Sequence, residues 1–231
     1  MLKTLRRRGQ RGLAEADMVE AALAEIERGG LDGFSLRCAA RAIGCDVAAL
    51  SYRFGSKDGL ERAIAERLHA GVIPPDDKLA WDARLAGMAQ HYRRAALAHP
   101  KAFPLLMRFW TSGPRDIAIA DHWHRALADA GIPEAQIPAT GCATYAAILG
   151  LCAAETSGLL GVPTRDAIAA IERTQDVALT KRLLPVFEKL RPDAVFDTAL
   201  EILLSGLKAT YAKRSARRSG GSISRSRKRK R

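Results

Sequence analysis

The sequence predicts an all-α protein: an N-terminal three-helix unit containing a helix-turn-helix, followed by a larger C-terminal helical domain. Three observations carry that prediction. Two short apolar helical patterns meet at a glycine between residues 34 and 57, and a longer amphipathic pattern precedes them. From residue 80 onward apolar residues recur at helical spacing between prolines and glycines, without the alternation of a strand.

The first helix is expected over residues 14–28, where Val19, Ala22, Leu23 and Ile26 share one face. Ser35 is placed to cap the next helix, whose Leu36, Ala39, Ala40 and Ile43 recur at i, i+3, i+4 and i+7, and Gly44 ends it. Asp46 is the expected N-cap of a second short helix with Val47, Leu50 and Phe54 on its inner face. Helices this short are not stable alone in water, so they need the first helix across their apolar faces. Pro74-Pro75-Asp76-Asp77 is the natural seam. Beyond it helices are expected over residues 80–98, 101–111, 114–130, 138–160, 164–183 and 192–213, separated by His99-Pro100, Gly113-Pro114, Gly131-Ile132-Pro133, Gly161-Val162-Pro163 and Arg191-Pro192.

Charge divides the chain in a different way. The net formal charge is +12, which by itself points to a polyanionic partner or surface. Residues 1–11 carry five Lys/Arg and no acid, and residues 214–231 carry nine and no acid. Residues 12–213 hold 23 bases against 25 acids, so the body is nearly neutral. The expected organisation is a basic flexible arm (1–11), a helix-turn-helix domain (12–73), a second helical domain with its own core (74–213) and a basic disordered tail (214–231). The arm, with Arg8 and Arg11, suits a phosphate backbone or a neighbouring minor groove. The tail is low in complexity and has little to bury, and it is expected to add sequence-independent DNA affinity through counterion release.

The outer face of the second short helix carries Ala48, Ala49, Ser51, Tyr52 and Arg53, a set that suits a major groove. Small residues let the backbone approach, alanines meet thymine methyls, and Ser51, Tyr52 and Arg53 offer hydrogen bonds to base edges or phosphates. Lys57 opens the following helix, where free backbone N–H groups and an ammonium together hold a phosphate.

This stretch resembles the DNA-binding domain of the tetracycline-repressor (TetR) family of bacterial transcriptional regulators. The matching residues are Gly33-Phe34-Ser35, Arg37, Ala39-Ala40, Gly44-Cys45-Asp46, Leu50-Ser51-Tyr52-Arg53-Phe54 and Lys57, over about residues 12–71. Ser51 stands where the family usually has Tyr, and Arg53 where it usually has His or Tyr. Residues 92–100 and 148–155 resemble the effector-binding domain more weakly. The resemblance implies a homodimeric, ligand-responsive regulator, most simply a repressor, reading a palindromic operator in double-stranded DNA. Its implied DNA contacts are Arg8, Arg11, Ser35, Arg37, Ala48, Ala49, Ser51, Tyr52, Arg53 and Lys57.

It also implies a dimer built from the last long helices, here residues 139–160 and 193–211. Ala146, Gly150, Leu151 and Ala154 are the candidates on the first, and Phe196, Ala199, Leu203 and Leu207 on the second. An aromatic pocket for an unidentified small molecule is expected among His91, Tyr92, Phe103, Met107, Trp110, Trp123 and Tyr145, with Trp81 and Phe109 as further candidates.

No catalytic or cofactor chemistry is legible. His122 and His124 lie two apart, on different helix faces, and Cys38, Cys45, Cys142 and Cys152 lack zinc spacing, so no metal is expected and the thiols are expected reduced. No phosphate-cradling glycine motif, nucleophile elbow, signal peptide or apolar run long enough to span a membrane is read from the sequence, and the expectation is a cytoplasmic, bacterial, non-enzymatic protein without a cofactor. Two other readings fit: a sequence-tolerant architectural DNA protein in which the arms dominate, and a helical ligand- or protein-binding module whose DNA head has decayed.

Overall fold

The computed structural model describes the backbone of residues 14–226 and the side chains of residues 14–211, so the expected contacts of Arg8 and Arg11 and the last five residues of the tail lie outside the described residues. Among the described residues there are ten α-helices, two short 3-10 turns and no strand.

α1 (Glu15–Gly29) buries Met18, Val19, Ala22, Leu23 and Ile26 on one face. Glu15 and Asp17 sit in its first turn, where negative charge suits the helix dipole. α2 (Leu36–Ile43) begins at Ser35, whose Oγ accepts the Cys38 N–H at 3.2 Å, and ends at Gly44 in the left-handed conformation, φ 75°. α3 (Val47–Phe54) starts after Asp46, but the Asp46 side chain makes no cap hydrogen bond, which corrects the capping role expected of it. What fixes α3 is Leu50, fully buried, with Phe54 half-buried beside it. α4 (Lys57–His69) is capped by Ser56, whose Oγ accepts the Gly59 N–H at 3.1 Å. α1 packs on α2 and α4, and α3 on α2 and α4, which closes the head.

α4 also packs on the second domain, against the 3-10 turn Phe103–Met107 and α6 (Pro114–Asp129). α5 (Trp81–Ala98) and α6 pack on each other and on α7 (Ile137–Thr156); α10 (Pro192–Ser226) lies on α7 and α5. α8 (Arg165–Arg173) and α9 (Ala178–Phe187) pack chiefly on each other. The chain between α4 and α5 is no loose linker. Gly87 leaves room for the Pro75 ring, which would stand 2.6 Å from a Cβ there, and Asp77 accepts from Arg125 at 2.8 Å and pairs with the buried Arg84.

The second domain departs from the sequence reading at four places. The helix expected over 101–111 is only a 3-10 turn, with Pro104 in it. The span 164–183 is two helices, broken where Asp176 takes a positive φ of 59°. α10 continues to Ser226, past residue 213 where the folded body was expected to give way to a disordered tail. An anchored helix extends without a new nucleus, and Arg214, Ala216, Arg217 and Arg218 are good helix formers. Residues 134–156 are, contrary to expectation, long and apolar enough to cross a membrane by length and composition. Here that segment packs as α7 against α5, α6 and α10.

Leu50→Ala removes the one fully buried side chain of α3 and is expected to destabilise the head by about 2–5 kcal/mol, read by chemical denaturation.

Candidate nucleic-acid interface

An eight-residue helix held by one buried leucine leaves most of its surface to a partner. On α3, Ala48, Ala49 and Arg53 are exposed, Ser51 is half-buried, and the Tyr52 ring is 92% exposed. Arg37 and Arg41, four residues apart on α2, are exposed as well. Arg41 was not singled out from the sequence, although its spacing from Arg37 places both on one face. Ser35 is engaged locally: its hydroxyl caps α2 and lies 3.2 Å from the Cys38 sulfur.

The angle between α3 and α4 is set by backbone. Gly55 takes φ 74°, and a Cβ on Gly59 would stand 1.8 Å from the Phe54 carbonyl oxygen, so no other residue fits at 59 without moving α3. Lys57, in the first turn of α4, is partly exposed. Its Nζ lies 3.4 Å from the Glu61 carboxylate and 5.9 Å from the Phe34 ring centre.

Glu61 has a side chain with no exposure, and it faces the second domain. Arg108 Nη1 stands 2.6 Å from it, and Arg108 Nη2 donates to Asp58 at 3.0 Å. Both contacts of Glu61 are ion pairs without hydrogen-bond alignment. The next residue, Arg62, donates to the Thr111 carbonyl and stacks 4.4 Å from the Phe109 ring centre. Glu66 then caps the neighbouring domain's helix. Its carboxylate accepts from Arg115 N at 2.8 Å, Asp116 N at 3.4 Å and the Ser112 hydroxyl at 3.2 Å, all at the start of α6. A Cβ on Gly113 would stand 2.8 Å from that carboxylate carbon. His69, at the end of α4, is buried with Nδ1 3.0 Å from Ser112 Oγ and Nε2 3.3 Å from Asp116. Burial holds its imidazole pKa below the usual value, against the opposite pull of the Asp116 and Glu66 carboxylates.

Beyond His69 lies a buried aromatic cluster. The Tyr92 ring meets His69, Trp123 and Tyr145 edge-on at centroid distances of 6.0, 6.4 and 5.4 Å. Trp123 donates its indole N–H to the Thr144 hydroxyl at 2.9 Å. Burial raises the pKa of both tyrosines, so both remain neutral phenols, and pushes the Cys152 thiol up to about 12. The Tyr92 hydroxyl is fully buried and, among the described residues, makes no hydrogen bond of regular geometry. Of the residues expected in a pocket, this cluster unites Tyr92, Trp123 and Tyr145. His91 is turned to the chain after α4, its Nδ1 3.2 Å from the Gly71 carbonyl oxygen. Phe103 is buried in the 3-10 turn, while Met107 and Trp110 are 48% and 93% exposed. Met107 ends that turn and Trp110 follows on the irregular outer chain before α6, which a helix over 101–111 would have folded inward.

Residues 18–69 match the model of the bacterial regulatory proteins of the tetR family, and residues 73–211 match that of the tetracyclin repressor-like C-terminal domain. The chain belongs to the TetR family. Members of that family are transcription regulators, and the chain is a DNA-binding transcriptional regulator. Among curated relatives it is 26% identical over 195 residues to the class A tetracycline repressor of transposon 1721 from Escherichia coli, covering 82% of this chain and 88% of that protein. Among solved structures, ActR of Streptomyces coelicolor, a TetR family protein in complex with actinorhodin, superposes with a TM-score of 0.74 at 21% identity, over 87% of this chain and 99% of that one. BioQ with its double-stranded DNA operator gives 0.64 at 22% identity, over 86% and 99%.

Within this TetR fold the expected dimer residues divide. Ala146 and Gly150 are exposed on α7, and Leu151, Ala154, Ala199, Leu203 and Leu207 are half-buried. Phe196 is fully buried under the Arg93 guanidinium, 5.1 Å from its ring centre, so it belongs to the protomer's own core. A groove of about 550 Å³ runs between α7 and α10, lined by residues that include Ala139, Ala143, Ile202, Leu203, Gly206 and Leu207. Among the described residues no three His, Cys, Asp or Glu side chains gather to hold a metal, and all four cysteines are free.

The buried imidazole predicts an acid-sensitive junction. Because the folded pKa of His69 lies below its unfolded value, the unfolded chain takes up the proton first. Stability is therefore expected to fall as pH drops through about 6.5, by at most ~1.4 kcal/mol per pH unit. Denaturation between pH 7.5 and 5.5, compared with His69→Gln, checks this: the slope should be absent in the variant.

Proposed function

We propose that the chain is a ligand-responsive repressor that binds a palindromic operator as a homodimer, with α3 as its reading helix. The observation that carries the reading is the division of α3: Leu50 is fully buried while Ala48, Ala49, Tyr52 and Arg53 face solvent. Each protomer sets α3 into a major groove, with Tyr52 reading base edges, Arg53 a guanine or a phosphate, and Lys57 a phosphate at the start of α4. Arg37 and Arg41 line the flanking backbone, and Arg8 and Arg11 of the arm add further phosphate contacts on this reading.

The dimer forms through α7 and α10. α7 is apolar, yet only 28% of its most apolar window is buried within one protomer, and Ile202 of α10 is 68% exposed next to it. Two such faces cover each other in a twin, which fixes the spacing of the two reading heads.

The effector site is the Tyr92, Trp123 and Tyr145 cluster, whose neutral phenols and indole suit an uncharged, flat molecule. A ligand there presses on His69 and the start of α6, and so on α4. It shifts the heads only if it favours one arrangement of them over the other. On this reading the chain catalyses no reaction and acts in the bacterial cytoplasm.

Retention of genomic fragments by the purified protein at physiological salt tests the function: a palindromic motif supports it, and retention without a motif favours an architectural role. On the recovered site, Tyr52→Ala is expected to cost about 1–3 kcal/mol and to relax base preference at its position. Lys57→Ala is expected to weaken operator and random duplex alike and to reduce the salt slope by about 1. An equal loss on operator and random DNA for Tyr52→Ala contradicts its base-reading role.

A further inference from the structure

Two cations, one from each domain, share a single buried carboxylate at the start of α4. The Glu61 side chain has no exposure. Its Oε1 lies 3.4 Å from Lys57 Nζ, one turn back on the same helix, and its Oε2 lies 2.6 Å from Arg108 Nη1. Arg108 follows the 3-10 turn Phe103–Met107, whose Phe103, Leu105 and Leu106 are buried and which packs on α4 and α7. Its second nitrogen, Nη2, donates to Asp58 at 3.0 Å, so the guanidinium fork spans two carboxylates in the first turns of α4. The Phe109 ring steadies this arrangement, with Arg108 at 5.7 Å and Arg62 at 4.4 Å from its centre.

A carboxylate without exposure is costly unless a cation compensates it. Arg108 is the nearer of the two and has the planar fork that suits a carboxylate. Lys57 stands farther off, without hydrogen-bond alignment, and 39% of its side chain stays exposed. The Lys57 ammonium thus lies between two anions, the Glu61 carboxylate beneath it and a phosphate outside. Without Arg108, Lys57 would be the only cation left within ion-pair distance of Glu61 among the described residues. Holding a phosphate would then mean leaving a buried charge bare.

We propose that Arg108 is a positioning residue for phosphate recognition: by compensating Glu61 it leaves the Lys57 ammonium free for the DNA backbone, so the second domain sets the strength of a contact that the head makes. The inference rests on the operator-binding reading for the assignment of Lys57 to a phosphate. Arg108 itself touches no DNA in it and acts through Glu61.

The first test measures binding of the full chain to operator-free duplex across a range of salt concentrations. Arg108→Met should lower the log-salt slope by about 1, as Lys57→Ala does, and the two together should lower it no further. Arg108→Lys should keep the full slope, and so should Arg108→Met combined with Glu61→Gln, in which no buried carboxylate claims Lys57. An unchanged slope in Arg108→Met overturns the proposal. So does a reduction that persists when Glu61→Gln is added, the result expected if Arg108 meets a phosphate itself or serves only to hold the turn. Additive reductions by Lys57→Ala and Arg108→Met overturn it as well.

The second test needs no DNA. In chemical denaturation Lys57→Ala should lower the unfolding midpoint more in the Arg108→Met background than in the otherwise unsubstituted chain, because Glu61 then loses its remaining cation. Equal shifts in the two backgrounds overturn the sharing of Glu61. If Lys57→Ala leaves the salt slope unchanged while the midpoints respond as expected, the phosphate role of Lys57 fails and the sharing of Glu61 between the domains stands.

Discussion

α4 belongs to two cores at once, and the placement of the reading helix depends on that. Its Leu60, Ile64 and Leu68 close the head, while Glu61, Glu66 and His69 are committed to the second domain. The decisive contact is the Glu66 carboxylate at the start of α6. Backbone N–H groups left open at a helix N-terminus attract an anion, and here a side chain of one domain satisfies them in the other. Glu61 adds a buried charge paired with Lys57 on its own helix and more closely with Arg108, so separating the domains would remove the nearer of its two partners. The glycines at 55 and 59 then transmit the position of α4 to α3 without a flexible joint. Where α6 goes, the Tyr52 face must follow.

Beyond this junction the molecule sorts its surfaces by charge and polarity. The body between residues 12 and 213 is nearly neutral, and its least polar helix, α7, is left largely uncovered by its own protomer. Its basic excess lies in the two ends of the sequence, residues 1–11 and 214–231. A neutral body with apolar faces favours self-association, and separated basic ends favour polyanions. The buried cluster of Tyr92, Trp123 and Tyr145 lies inside the second domain and touches the junction through His69.

Local signals were the legible ones. Ser35, Gly44 and the apolar spacing of α1 to α3 mark a helix-turn-helix because capping and periodicity act over a few residues. The exposed set on α3 followed from the same periodicity. Pro114 and Pro192 likewise mark true helix starts. Illegible were the contacts that join distant segments: Glu66 with Ser112, Glu61 with Arg108 and His69 with Asp116 span more than forty residues, and no spacing rule announces them. The misplaced pocket candidates share one origin. Residues 101–111 have helical periodicity, yet the chain there takes a 3-10 turn that ends at the half-exposed Met107 and then runs irregularly through the exposed Trp110. Phe196 has the spacing of an interface residue, but Arg93 covers it within the same protomer.

The most direct test of this account is the operator affinity of Glu66→Gln, at a residue turned toward α6 rather than toward DNA. Loss of the carboxylate charge weakens the hold of α4 on the start of α6, leaving the His69 contacts, while every DNA-facing side chain stays in place. The account predicts weaker binding of the palindromic operator, by a factor of about 5–150, with affinity for random duplex unchanged, because head spacing matters only where two half-sites are read together. An unchanged ratio of operator to random affinity, in a folded and dimeric variant, would contradict it.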